Sequence, residues 1–199
     1  MAQDAPAITT ARLVLRQWRA SDRPAFAALN ADPRVMAWFP ALLSRRESDA
    51  MADAIEERLL ELGWGLWAVE IPGVADFAGF VGLNPADSTL GWPAIEIGWR
   101  LAVEHWGHGY APEAAIASLA FGFETLGLDE IVSLTSVGNL KSRRVMEKIG
   151  MTRNARDDFD NPRVPRGSRL VRHVLYRLTR AQFARGGGAE APDGDRGLP

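Results

Sequence analysis

Cysteine is absent from the 199 residues. Such a chain can hold no disulfide, no thiolate metal site and no cysteine nucleophile. Long apolar runs are missing too: none approaches the roughly 18–20 residues that span a bilayer, so no membrane partner is expected. Charge of one sign is scarce. The 23 Lys and Arg stand against 25 Asp and Glu, a net −2, which removes the general attraction that nucleic acid or an anionic surface would need. Only three histidines occur, none at i, i+4 spacing, so no metal site is expected. The N-terminus has no basic stretch followed by an apolar run; a secretion signal is not expected, and a cytoplasmic location is the default.

What is present is ordinary for a globular domain: 47% apolar and 24% charged residues, enough to bury one core. Residues 1–9 read as a loose leader, 10–180 as the domain, and 186–199 as a disordered tail of Gly, Pro and acidic residues. Within the domain, "RLVLRQW" (Arg12–Trp18) alternates as a strand, and "SDRPAFAALN" reads as a short helix. Ser44 to Leu62 repeats Met51, Ile55, Leu59 and Leu62 at helical spacing, with Gly63 placed to end it. Three strands follow at 65–71, 77–83 and 94–101. A helix from Ala111, a strand at 130–136, a helix at 139–150 and a final strand at 170–178 complete the order. A long polar loop, 155–169, precedes the last strand. Consecutive strands with short turns imply antiparallel neighbours, and the strand–helix–strand crossover from 94 to 136 implies one parallel pair. The expected fold is α/β of the α+β kind: a mixed, mostly antiparallel twisted sheet with helices on both faces.

One stretch does not behave like a connector. "VEHWGHGYAPEAA" (103–115) places Gly107 and Gly109 immediately before a helix, where glycine costs about 1 kcal/mol relative to alanine if it is helical. A helix start leaves backbone N–H groups without partners at the positive end of the helix dipole. Glycines there allow either a plain turn or the close approach of a phosphate. Pro112 lacks an N–H where none is required. A Walker A loop is absent, and the turn follows several antiparallel strands instead of opening a Rossmann unit.

"IEIGWRLAVEHWGHGYAPEA" followed by "NLKSRRVMEKIGM" resembles the GCN5-related N-acetyltransferase (GNAT) superfamily, and more narrowly its Rim-type branch of ribosomal-protein N-terminal acetyltransferases. The resemblance runs from about Thr10 to Thr179. It implies acetyl-CoA (coenzyme A) as the cosubstrate, its pyrophosphate lying on main-chain amides of Trp106, Gly107, His108, Gly109, Tyr110 and Ala111. Leu101, Ala102 and Val103 would offer backbone groups to the pantetheine arm, with a backbone N–H near Val103 as oxyanion donor. Met146 stands where relatives often carry a proton-donating tyrosine, and Ser142, one turn earlier, is the replacement that Rim-type relatives suggest. Asn139 would cap its helix, contact the cofactor, or both. Arg144, with Lys141 and Arg143, would reach the ribose phosphate or form a solvated face.

Acyl transfer to an amine requires a neutral amine, a stabilised oxyanion and a proton for the leaving thiolate. An α-amine of pKa about 7.8 is already partly neutral at pH 7, whereas a lysine amine of about 10.4 is not. Glu96, on an apolar strand, is the first candidate for a water-linked base, and His173 the second. Trp38, Phe39 and Trp99 would wall an acceptor site. Asp157, Asp158 and Asp160 of the polar loop would hold a cationic amine near Phe159, or the loop would be a surface excursion balanced by Arg153, Arg156, Arg163 and Arg166. With no cysteine and no seryl triad, direct attack in a ternary complex is expected. The partner would be a small-molecule amine or a protein N-terminus, acted on by a monomer or homodimer.

Overall fold

The computed structural model describes residues 5–86 and 91–186. The chain opens with β1 (Ile8–Thr9) and β2 (Val14–Arg16), then α1 (Arg23–Ala31) and α2 (Arg45–Leu62). An antiparallel meander follows: β3 (Leu66–Ile71), β4 (Ala75–Ala86) and β5 (Ala94–Leu101). Next come α3 (Tyr110–Ala120), extended by a π turn at Phe121–Thr125, then β6 (Glu130–Ser136) and α4 (Leu140–Lys148). β7 (Thr152–Arg153), β8 (Phe159–Asp160), β9 (Arg172–Thr179) and α5 (Arg180–Arg185) complete it. The strands form one sheet of order β1-β2-β3-β4-β5-β6-β9-β7, with β8 paired to β9. Of these pairings only β5 with β6 is parallel.

Register assigns the two faces. Arg16 lies opposite Ala68, Ala68 opposite Phe80, and Phe80 opposite Arg100, so these four share a face. Trp67, Val81 and Trp99 share the other. Phe26 of α1 meets Phe80 edge-on at 6.0 Å and Trp18 at 4.9 Å, covering the first face. Phe121, ending α3, meets Trp67 at 5.4 Å on the second. Helices therefore stand on both faces, as expected, and side chains such as Trp67 and Phe26 are fully buried between the layers. Each contributes about 1.5–3 kcal/mol by burial.

Helix α2 shows how local sequence sets an element. Glu47 N–H donates to Ser44 Oγ at 3.3 Å, and Ser44 N–H donates back to the Glu47 carboxylate at 2.8 Å. This capping box satisfies two N-terminal amides together. Gly63 closes the helix by donating to Leu59 O. The buried stripe is Ala52, Ile55 and Leu59, displaced from the expected one: Leu62 is 38% exposed.

Three expectations differ from the structure. Residues 5–9 are not loose: Ala5 is buried, Pro6 O accepts Trp67 Nε1 at 3.0 Å, and β1 pairs with β2. The strand expected at Arg12–Trp18 narrows to Val14–Arg16, because Thr10 Oγ1 accepts the Leu13 amide in a turn before it. The polar loop carries a 3-10 turn (Ala155–Asp157) and β8, which covers an edge of β9. Of the tail expected to be disordered, all but Gly186 lies outside the described residues.

Candidate active site

Strands β5 and β6 meet at one register pair, Glu96 with Val132, and Ser133 Oγ donates to Ile97 O at 2.9 Å just beyond it. Past that bond they diverge around a cleft of about 1330 Å³ that runs through the sheet. Side chains alternate along a strand, so Ile97 and Trp99 enter the cleft from the α3 face, and Glu96, Gly98 and Arg100 from the α1 face. Backbone groups alternate in the plane of the sheet. Ile97 O faces β6, so the Trp99 and Leu101 amides face the same opening. Ala102 faces the other way and donates to Ala78 O at 2.9 Å, while its own carbonyl accepts from His105. Ala102, expected among the backbone contacts to the cofactor, therefore has both groups engaged in the fold. Val103 O is likewise taken by the Trp106 amide, and Leu101 O by Trp106 Nε1 at 2.8 Å.

The glycine-rich turn opens onto this cleft. Gly107 and Gly109 have φ of 83° and 82°, the left-handed region that side chains disfavour. Among the described residues, a Cβ at Gly107 would meet no atom within 4 Å, so none of them fills the space its missing side chain leaves. Gly109 is the N-cap of α3, and the first-turn amides of Tyr110 and Ala111 have no intrahelical partner. Trp106, Gly107, Gly109, Tyr110 and Ala111 all line the cleft. The His108 side chain turns away to stack on Tyr110, ring centroids 5.6 Å apart. These residues fit a diphosphate: bare amides, a helix dipole and open space above two glycines.

Helix α4 closes the same side. Asn139 accepts the Ser142 amide at 3.3 Å as N-cap and donates from Nδ2 to Thr135 Oγ1 at 3.0 Å. Its side chain is committed to holding the β6–α4 turn at the cleft edge. Ser142 and Met146 line the cleft, Met146 being 1% exposed and without a proton to donate. Lys141, Arg144 and Lys148 stand on the exposed rim of this wall, and Lys141 Nζ sits 4.0 Å from the Trp106 ring centroid.

On the α1 face the cleft is lined by Trp38, Phe39, Glu96, Ser136 and His173. Trp38 packs so tightly on the turn before Asn139 that a Cβ at Gly138 would lie 2.7 Å from its ring. His173 is 8% exposed. Its Nδ1 lies 3.2 Å from Val171 O, which can only accept, so Nδ1 carries the proton; Nε2 then accepts from Asn161 Nδ2 at 3.3 Å. Burial lowers the His173 pKa against that bond to Val171, and both ring nitrogens hold the loop before β9 in place. Ser136 Oγ is buried without a hydrogen bond.

A family model described as "Acetyltransferase (GNAT) domain" matches residues 12–152. The chain belongs to the GNAT acetyltransferase family. Among its relatives, a Bacillus subtilis protein, YkkB, is 34% identical over 72% of this chain and 84% of its own. An Aspergillus fumigatus FsC-acetyl coenzyme A-N(2)-transacetylase is 29% identical over 90% of this chain and 79% of its own. A GNAT acetyltransferase structure from Bacillus anthracis superposes with a TM-score of 0.74 at 25% identity, over 88% of this chain and 99% of that one.

Most of the expected GNAT site residues come together, but one group does not. Asp157, Asp158 and Phe159 lie outside the cleft and line a separate hollow with Trp92 and Arg177. Asp157 pairs with Arg177 at 3.2 Å, Asp158 with Arg153, and Phe159 packs toward the His173 ring at 5.8 Å. Of the arginines expected to balance this loop, Arg153 pairs with Asp158, while Arg177 and Arg172, which engage Asp157 and Asp160, come from β9, on which β8 docks the segment. Sequence reasoning also missed Arg12, which holds the glycine turn, and Arg100, buried in the cleft wall. Arg12 meets its partners about a hundred residues away, so spacing carries no signal for it. Arg100 is the last but one residue of β5, at an inward-facing position, and a charged residue there was a readable anomaly.

Proposed function

We propose that this acetyltransferase moves an acetyl group from acetyl-CoA to a primary amine, the α-amine of a protein or a small-molecule amine, by direct attack in a ternary complex. The observation that carries this reading is the passage through the sheet. Bare amides and glycines stand on the α3 side, and Glu96, Ser136 and His173 on the other, so donor and acceptor can enter from opposite faces. The Aspergillus relative, an acetyl coenzyme A transacetylase by name, supports the same donor. The finer Rim-type assignment rests on the "WGHGYAPEA" stretch.

Acetyl-CoA supplies an activated thioester. The chain's residues would do the rest. Amides from Gly107 to Ala111 bind the diphosphate, with Leu101 and Val103 bordering the pantetheine path and Lys141 and Arg144 offering positive charge at the rim. The amides of Trp99 and Leu101 face the opening, where developing negative charge on a carbonyl oxygen can be met. Ser142 Oγ, on the first turn of α4, is the proton donor to the leaving sulfur in place of Met146. Glu96 takes the amine proton through water. His173 is the weaker base, since Nε2 already accepts from Asn161.

Thermal melting with and without acetyl-CoA tests the reading. A rise in Tm with the wild type, absent in Gly109→Val, is expected, together with release of free thiol when an amine panel is added. An unchanged Tm and no calorimetric heat at saturating acetyl-CoA would sink it.

A further inference from the structure

Two arginines lie buried on the α1 face of the sheet, and they are treated differently. Arg16 is 5% exposed and surrounded by acid: Asp22 accepts from Nη1 at 2.8 Å and from Nη2 at 2.9 Å, and Glu70 from Nε at 2.7 Å. Burial alone would lower its pKa, and these two carboxylates outweigh burial and raise it. Arg100 is 7% exposed and has no carboxylate at all among the described residues. Its neighbours are neutral: Nη1 donates to Asn30 Oδ1 and lies 3.9 Å from Met51 Sδ, and its Cζ stands 4.0 Å from the Phe39 centroid and 5.4 Å from that of Phe80. Burial, with nothing to offset it, pushes the Arg100 pKa down to about 10.

A buried cation without a counterion is unfavourable, and an anion arriving beside it would relieve that cost. The unsatisfied edge identifies the kind of anion. Among the described residues, Nε is buried with no hydrogen-bond partner, and Nη2 makes none either. Together Nε–H and Nη2–H form the planar fork that holds a carboxylate by two parallel bonds. Arg100 lines the through-sheet cleft, on the same face of β5 as Glu96. Between them lies Gly98, where a Cβ would meet nothing within 4 Å. Base candidate, open floor and unpaired guanidinium thus follow one another along a single strand face.

We propose that the acceptor is an amino carboxylate, an amino acid or close analogue, whose carboxylate pairs with the Nε/Nη2 edge of Arg100 while its amine lies toward Glu96 over Gly98. This rests on the acetyl-transfer reading above and narrows its acceptor. A protein N-terminus, whose first carboxyl group is an amide, leaves the fork empty, so small amino carboxylates are preferred.

The experiment compares α-amino acids with their carboxamides, pair by pair, using the full chain. Free thiol released from acetyl-CoA is measured for each pair, and calorimetry records binding of the same compounds to the CoA-saturated protein. The carboxylate member of the best pair should be favoured by at least about 100-fold in kcat/KM or Kd, since the carboxamide leaves a buried cation unpaired. Arg100→Gln should erase that gap through KM, and Arg100→Lys should restore part of it. Gly98→Val, whose side chain projects into open space, should fold and bind acetyl-CoA yet block both members of every pair. Equal use of carboxylates and carboxamides by the wild type, or binding of neither while acetyl-CoA still raises Tm, overturns the amino-carboxylate assignment and leaves the acetyl-transfer reading standing. Failure of acetyl-CoA itself to bind removes both.

Discussion

Arg12 Nη1 donates to the carbonyl oxygen of His108 at 2.9 Å, joining the turn before β2 to the middle of the glycine turn. The same guanidinium pairs with Glu113 in the first turn of α3, and its Cζ lies 4.9 Å from the Tyr110 ring centroid. Glu113 also accepts from Thr10 Oγ1 at 2.6 Å and from the Arg12 amide at 3.0 Å. Burial raises the Glu113 pKa, but hydrogen bonds from Thr10 and Arg12 outweigh it and hold the group below its ordinary value. One arginine thus orients a turn whose own residues supply only backbone.

Arg12→Ala should weaken acetyl-CoA binding about tenfold, corresponding to roughly 1.4 kcal/mol, while lowering the stability of the free protein by under about 1 kcal/mol, because the pair is partly exposed and solvent-screened. Calorimetric Kd and a urea melt separate the two effects. Equal losses in both would mean that Arg12 serves the fold alone.

Gly107→Ala and Gly109→Ala both force a side chain into left-handed backbone, at about 1–2 kcal/mol each. They differ in surroundings. The Cβ at 109 comes within 3.3 Å of Arg12 Nη2, whereas that at 107 meets no protein atom. Gly107→Ala should therefore show the ordinary strain cost in thermal melts, and Gly109→Ala a larger loss. Both should lose most of the Tm rise produced by acetyl-CoA.

Ser142→Ala tests the proton donor. Asn139 caps α4 through the Ser142 amide and not through its hydroxyl, so the helix should keep its stability. Steady-state kinetics should show kcat down by about 100-fold with the KM for acetyl-CoA little changed, within the range general-acid catalysis covers. An unchanged kcat would leave water as the proton source.

The buried, neutral His173 gives stability a pH dependence with a defined sign. Its folded pKa is below the ordinary value, so as pH falls through about 6.5 the unfolded chain takes up a proton before the folded one does. Stability should decline from that point until pH passes below the folded pKa, where the contribution levels off. Melts between pH 8 and 5 should show a shallower decline for His173→Gln than for the wild type.

Much of the scaffold was legible in the chain itself. Ser44, Glu47 and Gly63 bound α2 through local hydrogen bonds, and β5 and β6 fall on the runs that alternate or concentrate β-branched residues. The glycine turn was readable too, because a left-handed backbone demand is written into the residue type at 107 and 109. Short pairings such as β1 with β2 and β8 with β9 were not, since two residues carry no periodicity.

Local sequence therefore determined the helices, the main strands and the place where a helix start stands open, because capping, periodicity and backbone preference act over a few neighbours. Tertiary structure alone decided which loop carboxylates arginines take up and that Arg100 meets no carboxylate among the described residues. Asp157 and Asp158 are drawn to Arg177 and Arg153 on neighbouring strands, while Arg100 is enclosed by Asn30, Met51, Phe39 and Phe80 from distant segments. Charge pairing depends on distance in space, and folding sets that distance.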